Sequence, residues 1–224
     1  MPRSRSVSAA AATLHTHLAS IRLPLTPSED SYTWLVNKIR LLQFSTAKTW
    51  EALRPKAQVR DWANSVWFKG VTPRHAFLFW IAQLNRLPMR SRLVSWGMQM
   101  PSSCCICSGF DETREHLLLT CTYNEQLWRL VQIRLRLTPC IFYTWSSLHA
   151  WTNLKTDSAP LILRKLAAQA AIYHLWKQRN NILHNEIDVP PTVLFKELDR
   201  VMCNTISARR NRKQFLNLMV LWIR

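Results

Sequence analysis

The stretch SCCICSGFDETREHLLLTC, residues 103–121, gathers four of the chain's six cysteines and one of its seven histidines into nineteen positions. Its spacing is Cys104-x2-Cys107-x8-His116-x4-Cys121. A Cys-x2-Cys turn presents two thiolates to one ion, and a downstream His and Cys can complete a tetrahedron. Zn²⁺ suits this donor set because it takes mixed thiolate and imidazole ligands without a redox step or a geometric penalty. Cys105 lies one residue from Cys107, too tight for the usual turn, and reads as a bystander. Three thiolates on Zn²⁺ leave one net negative charge, which the nearby Arg114 is expected to offset. A redox pair would want a βαβ context that the pattern lacks. A disulfide framework would want a secreted, Cys-dense chain. Chance clustering of buried cysteines is the remaining reading. Zinc is favoured over all three. Four protein ligands leave no place for water, so one structural Zn²⁺ per chain is expected, worth about 10–16 kcal/mol to the region it closes.

The rest of the chain is read around that site. Glycine occurs three times in 224 residues, and apolar residues recur at helical spacing, which disfavours a turn-rich sandwich or barrel. The expected fold is mainly α: a small helical domain around a Cys3His zinc site, with a long C-terminal helical extension. The expected organisation is a loose leader at 1–30 ending in PLTPSED, a zinc-binding domain with helical lead-in at 31–135, and a helical extension at 136–224.

Ser45 is placed as the N-cap of a helix with Ala47, Trp50 and Leu53 on one face, stopped by Pro55. Thr72 is placed as the cap of a helix beginning at Pro73, with Ala76, Phe77, Trp80, Ile81 and Leu84 as its stripe, ending at Pro88. MRSRLVSWG reads as a short helix closed by Gly97. NEQLWRLVQIRLRL is helical, with Leu127, Leu130, Val131 and Ile133 inward and Pro139 as its stop. IFYTWSSLHAWTNL is ambiguous and contains a short helix. The strongest helix runs from Pro160 to about Asn185, with Ile162, Leu166, Ala170, Tyr173 and Trp176 or Lys177 on one face. A last amphipathic, basic helix spans about Thr192 to Arg209. The eleven tryptophans mostly fall in apolar-periodic segments, so Trp67, Phe77, Trp80 and Trp96 are assigned to the core. His75 and His174 read as packing or surface residues rather than ligands.

Charge bears on partners. Thirty Lys and Arg against thirteen Asp and Glu give a formal net charge of +17. Such a chain attracts polyanions, nucleic acid first. Residues 31–110 hold eleven basic side chains and two acids, Glu51 and Asp61, and Arg200 to Arg224 hold six basic residues and no acid. Lys69, Arg74, Arg86, Arg90 and Arg92 are the candidate phosphate contacts, beside Trp67 and Phe68, with RNA or single-stranded DNA as the expected partner. The group Trp176, Lys177, Arg179 and Asn180 is read as helix packing with a basic outer face. No uncharged apolar run approaches the roughly 18 residues of a membrane span. A nuclear or cytoplasmic location is expected. The Arg- and Ser-bearing leader also fits an organellar transit peptide, as the lesser alternative.

VWFKGVTPRHAFLFWIAQLNRLPMRSRLVSWGM, followed by CCIC, ETREHLLLTC and LW, resembles the reverse-transcriptase zinc-binding domain of plant non-LTR (LINE-type) retrotransposons. FSTAKTWEALRP is similar to that family's lead-in, LPLTPSEDSYTW to the region just upstream, and IYHLWKQRNNILHN to its closing helix. The resemblance covers about residues 23–200. It implies zinc ligands at Cys104, Cys107, His116 and Cys121, and a place beside a polymerase, so a reverse transcriptase domain is a further expected partner. The family usually carries proline where this chain has Cys105, which opens the question of ligand swapping, although Cys104 keeps the better spacing.

Catalysis is not expected. Paired Asp residues in a palm hold the metals of a reverse transcriptase, and no Asp-Asp pair occurs here. The scattered acids do not make a ribonuclease H cluster. Glu112 and Glu115, next to the ligands, read as solvated or helix-start residues. The expected function is a non-catalytic, zinc-binding, nucleic-acid-binding module. The alternatives are a protein-interaction scaffold or an unselected retrotransposon relic.

Overall fold

A computed structural model describes residues 8–21 and 32–223. PLTPSED, the expected end of the leader, lies outside the described residues. The chain divides into two compact units, 1–58 and 59–224.

In the first unit, α1 spans Ala9–Ser20, with the Ser8 side chain accepting from the Ala11 N–H, and none of its residues is buried. A hairpin pairs β1, Trp34–Val36, with β2, Ile39–Leu41, antiparallel and with Val36 opposite Ile39. Asn37 and Lys38 between them both take positive φ, as a two-residue turn matched to strand twist requires. Helix α2 follows, Thr46–Leu53, capped by Ser45 as expected. Its face does not bury: Trp50 and Leu53 are exposed. Trp34 Nε1 donates to Thr49 Oγ1 at 2.9 Å, and the Trp34 ring meets Phe44 edge-on at 4.5 Å.

The second unit holds α3 (Ala63–Val66), α4 (Pro73–Gln83), α5 (Arg90–Ser95), α6 (Thr122–Arg134), α7 (Trp145–Asn153), α8 (Leu161–Asn185), α9 (Pro191–Ser207) and α10 (Leu218–Ile223). The mainly helical expectation is met. Helix α8 is the axis: α4, α6, α7 and α9 all pack on it. It is consequently buried around its whole circumference through the middle, Leu163 to Ile172 without a break, rather than along the single expected face.

Six polar residues of α8 are buried with the apolar ones, and five of them bond groups outside the helix, Arg179 among them through Glu112. Lys165 Nζ donates to Asn64 O at 2.9 Å, and Gln169 Nε2 donates to Ser65 O and Val66 O, both at 2.9 Å. These side chains take up the free carbonyls at the end of the one-turn α3, which has too few residues to satisfy its own. Arg164 donates to Ala159 O and Trp151 O, and Gln178 to Ile187 O.

Two other helix faces differ from expectation. In α4 the buried set is His75, Ala76, Phe79 and Ala82, while Phe77 points outward at 56% exposure. Thr72 stands at the cap position, but its hydroxyl makes no cap bond. In α6 the inward residues are Asn124, Leu127, Trp128, Val131 and Gln132, and Ile133 is exposed. The helix ends at Arg134, followed by Arg136 in the left-handed region, before Pro139 is reached. Trp128 anchors α6: its Nε1 donates to Leu118 O at 2.8 Å, and its ring meets Phe142 edge-on at 5.1 Å. Helix α7 is set by a reciprocal capping box between Thr144 and Ser147, which resolves the ambiguous segment. Among the described residues, no helix is long and apolar enough to cross a membrane.

Three histidines are enclosed by this packing. His75 is pushed down to about 3, first by burial and then by the charges of His174, Arg74 and Arg209. His149 and His174 are each lowered to about 4, chiefly by burial. In the unfolded chain they titrate near 6.5. Above that pH both states are neutral and nothing is lost. As pH falls from about 6.5 toward 4 the unfolded chain takes up protons that the folded chain refuses, so stability falls. His75→Phe keeps a ring against Tyr173, which His75 meets at 4.5 Å, and removes one such site. Urea unfolding of zinc-loaded protein should show a shallower loss of stability between pH 6.5 and 4 for this variant than for the parent. An identical acid limb would contradict the burial assigned to His75.

Candidate metal centre

The cluster is assembled by three local devices. The first is a turn: the Ser108 N–H bonds Cys104 O at 2.9 Å, and Ser108 takes φ 57°, which folds Cys107 back beside Cys104. The second is a pinch across the loop, where the Cys104 N–H bonds Phe110 O at 2.7 Å and the Glu112 N–H bonds Ser102 O at 2.8 Å. The third is a wide π-type turn at His116–Thr120, closed by the Cys121 N–H on His116 O at 2.7 Å. The Thr113 hydroxyl receives the His116 N–H at 3.1 Å and starts that turn. Cys121 then stands as the N-cap of α6. The wide turn buries Leu117, Leu118 and Leu119 together, so it is fixed by packing on both sides of the ligands.

These devices bring one ligand atom each from Cys104, Cys107, His116 and Cys121 to within 4.8 Å of one another. A tetrahedron with Zn–S of about 2.3 Å has edges of about 3.8 Å, so a small contraction seats the ion. His116 presents Nε2, which lies 3.1 Å from Cys107 Sγ, and its ring rests 5.3 Å from Phe110. Cys104 and Cys121 are fully buried. The hydrogen bond from Cys121 to Cys104 holds the Cys104 thiol well below its ordinary value, helped by backbone N–H groups of Cys107 and Ile106, and the same bond raises Cys121. The pocket thus already favours one thiolate, and a divalent cation stabilises the others. The donor set and its convergence fit one Zn²⁺. All six cysteines are free thiols, so the cluster is not a disulfide knot.

Cys105 stands apart. Its thiol is pushed up to about 12, first by burial and then by the negative charge of Glu112. It faces Arg179 O at 3.9 Å and is not among the four residues whose ligand atoms converge, which favours Cys104 over Cys105 as the ligand.

The acids and cations around the site differ from the expected roles. Glu112 is not solvated but fully buried, and it pairs with Arg179 of α8, itself 4% exposed. Glu112 Oε1 accepts from Arg179 Nη2 at 2.6 Å, Arg179 Nε at 3.1 Å and the Arg90 N–H at 3.0 Å. Arg179 Nη2 also reaches Pro88 O at 3.3 Å, and its guanidinium lies 4.8 Å from the Trp176 ring. Arg179 is therefore not on a basic outer face. Arg114 does not serve the thiolates either: it bonds Glu115, caps α4 at Ala82 O and Gln83 O, and lies over Trp145. No sequence signal pointed to the Glu112–Arg179 pair, whose members lie 67 residues apart.

The five candidate phosphate contacts fall at two ends of α4. Lys69 and Arg74 flank its start, both exposed. Arg86, Arg90 and Arg92 follow its end. Arg90 Nη1 is committed to Ser103 O at 2.9 Å, which ties α5 to the zinc loop, and Arg92 bonds Asn85 O and lies 4.9 Å from the Trp96 ring. Trp67, Phe77 and Trp96, assigned to the core from their spacing, are 47%, 56% and 61% exposed.

Residues 44–128 match the family described as zinc-binding in reverse transcriptase. No curated protein and no solved structure matches the chain. The matched segment runs from just before α2 to Trp128, and contains all four ligands.

Removing one partner of a buried pair strands the other charge, at a cost of about 3–5 kcal/mol. Arg179→Met should therefore lower the unfolding free energy by about that amount in chemical denaturation, and Glu112→Gln by less, because the amide can still accept from the Arg90 N–H. Cys105→Ser, beside the same pair, should change it by under about 1 kcal/mol. A loss for Cys105→Ser as large as that for Arg179→Met would mean that the thiol, not the ion pair, holds the loop.

Proposed function

We propose that this chain, with its reverse-transcriptase-type zinc-binding segment at 44–128, is a non-catalytic module of retrotransposon origin that binds RNA or single-stranded DNA on a zinc-stabilised helical frame. The convergence of three thiols and one imidazole within 4.8 Å carries the zinc half of this reading. Cys104, Cys107, His116 and Cys121 hold one structural Zn²⁺ per chain, which supplies cross-linking of the loop to α6. The net charge of +17 supports the nucleic-acid half, because a polyanion is the partner such a charge draws. The resemblance to plant LINE-type elements supports a place beside a reverse transcriptase domain, where template RNA and nascent DNA are within reach. No polymerase or nuclease step is assigned to this chain, which has no Asp-Asp pair and whose four ligands would close the zinc shell.

Native mass spectrometry with metal analysis should find one zinc per chain. Cys121→Ser should lose the metal and Cys105→Ser should keep it. Titration against single-stranded RNA should give an affinity that falls linearly with salt on logarithmic axes, by about 0.7 for each phosphate contacted. Zinc-loaded protein with no measurable RNA or DNA affinity would sink the nucleic-acid reading and favour a protein-interaction module.

A further inference from the structure

The sequence offered Lys69, Arg74, Arg86, Arg90 and Arg92 alike as phosphate contacts, and the fold brings further cations to the first two. Segment 209–215, remote in sequence, docks on segment 69–71. The Arg209 guanidinium donates to Thr205 O at 3.0 Å and to Val71 O at 3.2 Å. Gln214 Nε2 bonds Lys69 O. Phe215, 1% exposed, lays its ring against Gly70, where an added Cβ would come within 2.5 Å of the ring and where φ is +92°. Only glycine fits that place at low cost.

The joint gathers Lys69, Arg74, Arg210, Arg212 and Lys213 around Arg209, whose own guanidinium is held by backbone carbonyls. Lys69, Arg212 and Lys213 border one hollow, and Arg74 and Arg209 border another with Thr72. The Thr72 hydroxyl is buried without a hydrogen-bond partner among the described residues. No acid occurs between 62 and 110 or between 200 and 224. Among the described residues, none of these six cations is in a salt bridge. Like charges held together without counter-ions repel one another, and a polyanion relieves that repulsion.

Aromatic faces adjoin the cations. Trp67 precedes Lys69 by two residues and Phe77 follows Arg74 by one helical turn, which puts the latter two on one face of α4. Both rings are about half exposed, and each lies near Trp80, at 6.2 Å and 5.8 Å. Exposed rings beside cations suit unpaired bases, whose faces are free to stack, rather than a duplex.

We propose that this joint, and not the cations beside the zinc loop, is the phosphate-holding surface of the module, with Trp67 and Phe77 stacking the bases of a single strand. The proposal rests on the nucleic-acid reading above and locates it. It takes the phosphodiester backbone that RNA and DNA share, without sequence preference.

The test uses the full zinc-loaded chain and fluorescently labelled uridine and thymidine oligomers of about 12 nucleotides, within the span of known single-strand sites, and a duplex of the same length. Lys69→Ala, Arg212→Ala and Lys213→Ala together should flatten the logarithmic salt slope by about 2 and weaken binding about tenfold or more. A control with Arg86→Ala, Arg129→Ala and Lys155→Ala removes the same charge from other exposed positions and should change affinity less than about threefold. Phe77→Ala should cost about fivefold or more on single strands and leave the duplex unchanged. Gly70→Ala keeps every charge but displaces Phe215, and should weaken binding while zinc content holds. RNA and DNA oligomers bound alike support backbone recognition. Equal losses in the two triple variants would overturn this surface while the nucleic-acid reading stood. A parent protein that binds neither oligomer would end both.

Discussion

The buried pair of Glu112 and Arg179 is the contact on which the second unit depends. Glu112 sits between the Cys107 turn and the His116 turn, and Arg179 lies near the end of the axial helix α8. Their bond, with the Arg90 N–H on the same oxygen, fastens the zinc loop, the start of α5 and α8 at one point. A metal on the four ligands would close the loop on itself, and the ion pair orients that loop on the frame. Neither charge tolerates the interior alone, so each exists because the other is in place. The Cys105 thiol beside them is pushed up first by burial and then by the charge of Glu112.

The zinc site was the most legible part of the sequence because ligand chemistry is carried by rare residue types at short separations. Cys104, Cys107, His116 and Cys121 converge as their spacing implied, and the caps at Ser45 and Gly97 were equally local. What escaped was non-local. Helix α8 looks amphipathic when its Lys, Arg and Gln are counted as solvent-facing, yet Lys165, Gln169 and Arg179 turn inward to meet carbonyls or a carboxylate that other elements supply. A cation's burial depends on a partner that spacing along one helix does not reveal. Exposed Phe77 fails for the converse reason: a helix with apolar residues all round offers several possible stripes, and packing on α8 selected the one through Ala76, Phe79 and Ala82.

The same non-locality governs the basic surface. Lys69 and Arg74 are exposed and in no salt bridge among the described residues, but the cations near them come from residues 209–213, which only tertiary packing through Gly70 and Phe215 brings close. Arg90, by contrast, looked equal to them in sequence and is spent on Ser103 O. Charge density on a folded surface is therefore a property of the docking of chain segments. The composition announces a polyanion partner without saying where it lies.

The wide turn at His116–Thr120 has a consequence for how such a domain can vary. It fits one residue more into its turn than an α-helix would, and the extra residue belongs to the buried run Leu117–Leu119. Deleting one of those leucines would leave the ligands about one ordinary helical turn apart, so their directions would change little while a buried side chain was lost. The spacer is thus held by the burial of its leucines, whereas the exposed Ser108 turn is held by the direction it gives Cys107, so neither changes length freely. The two spacers therefore fix the centre by different means, one by packing and the other by backbone direction.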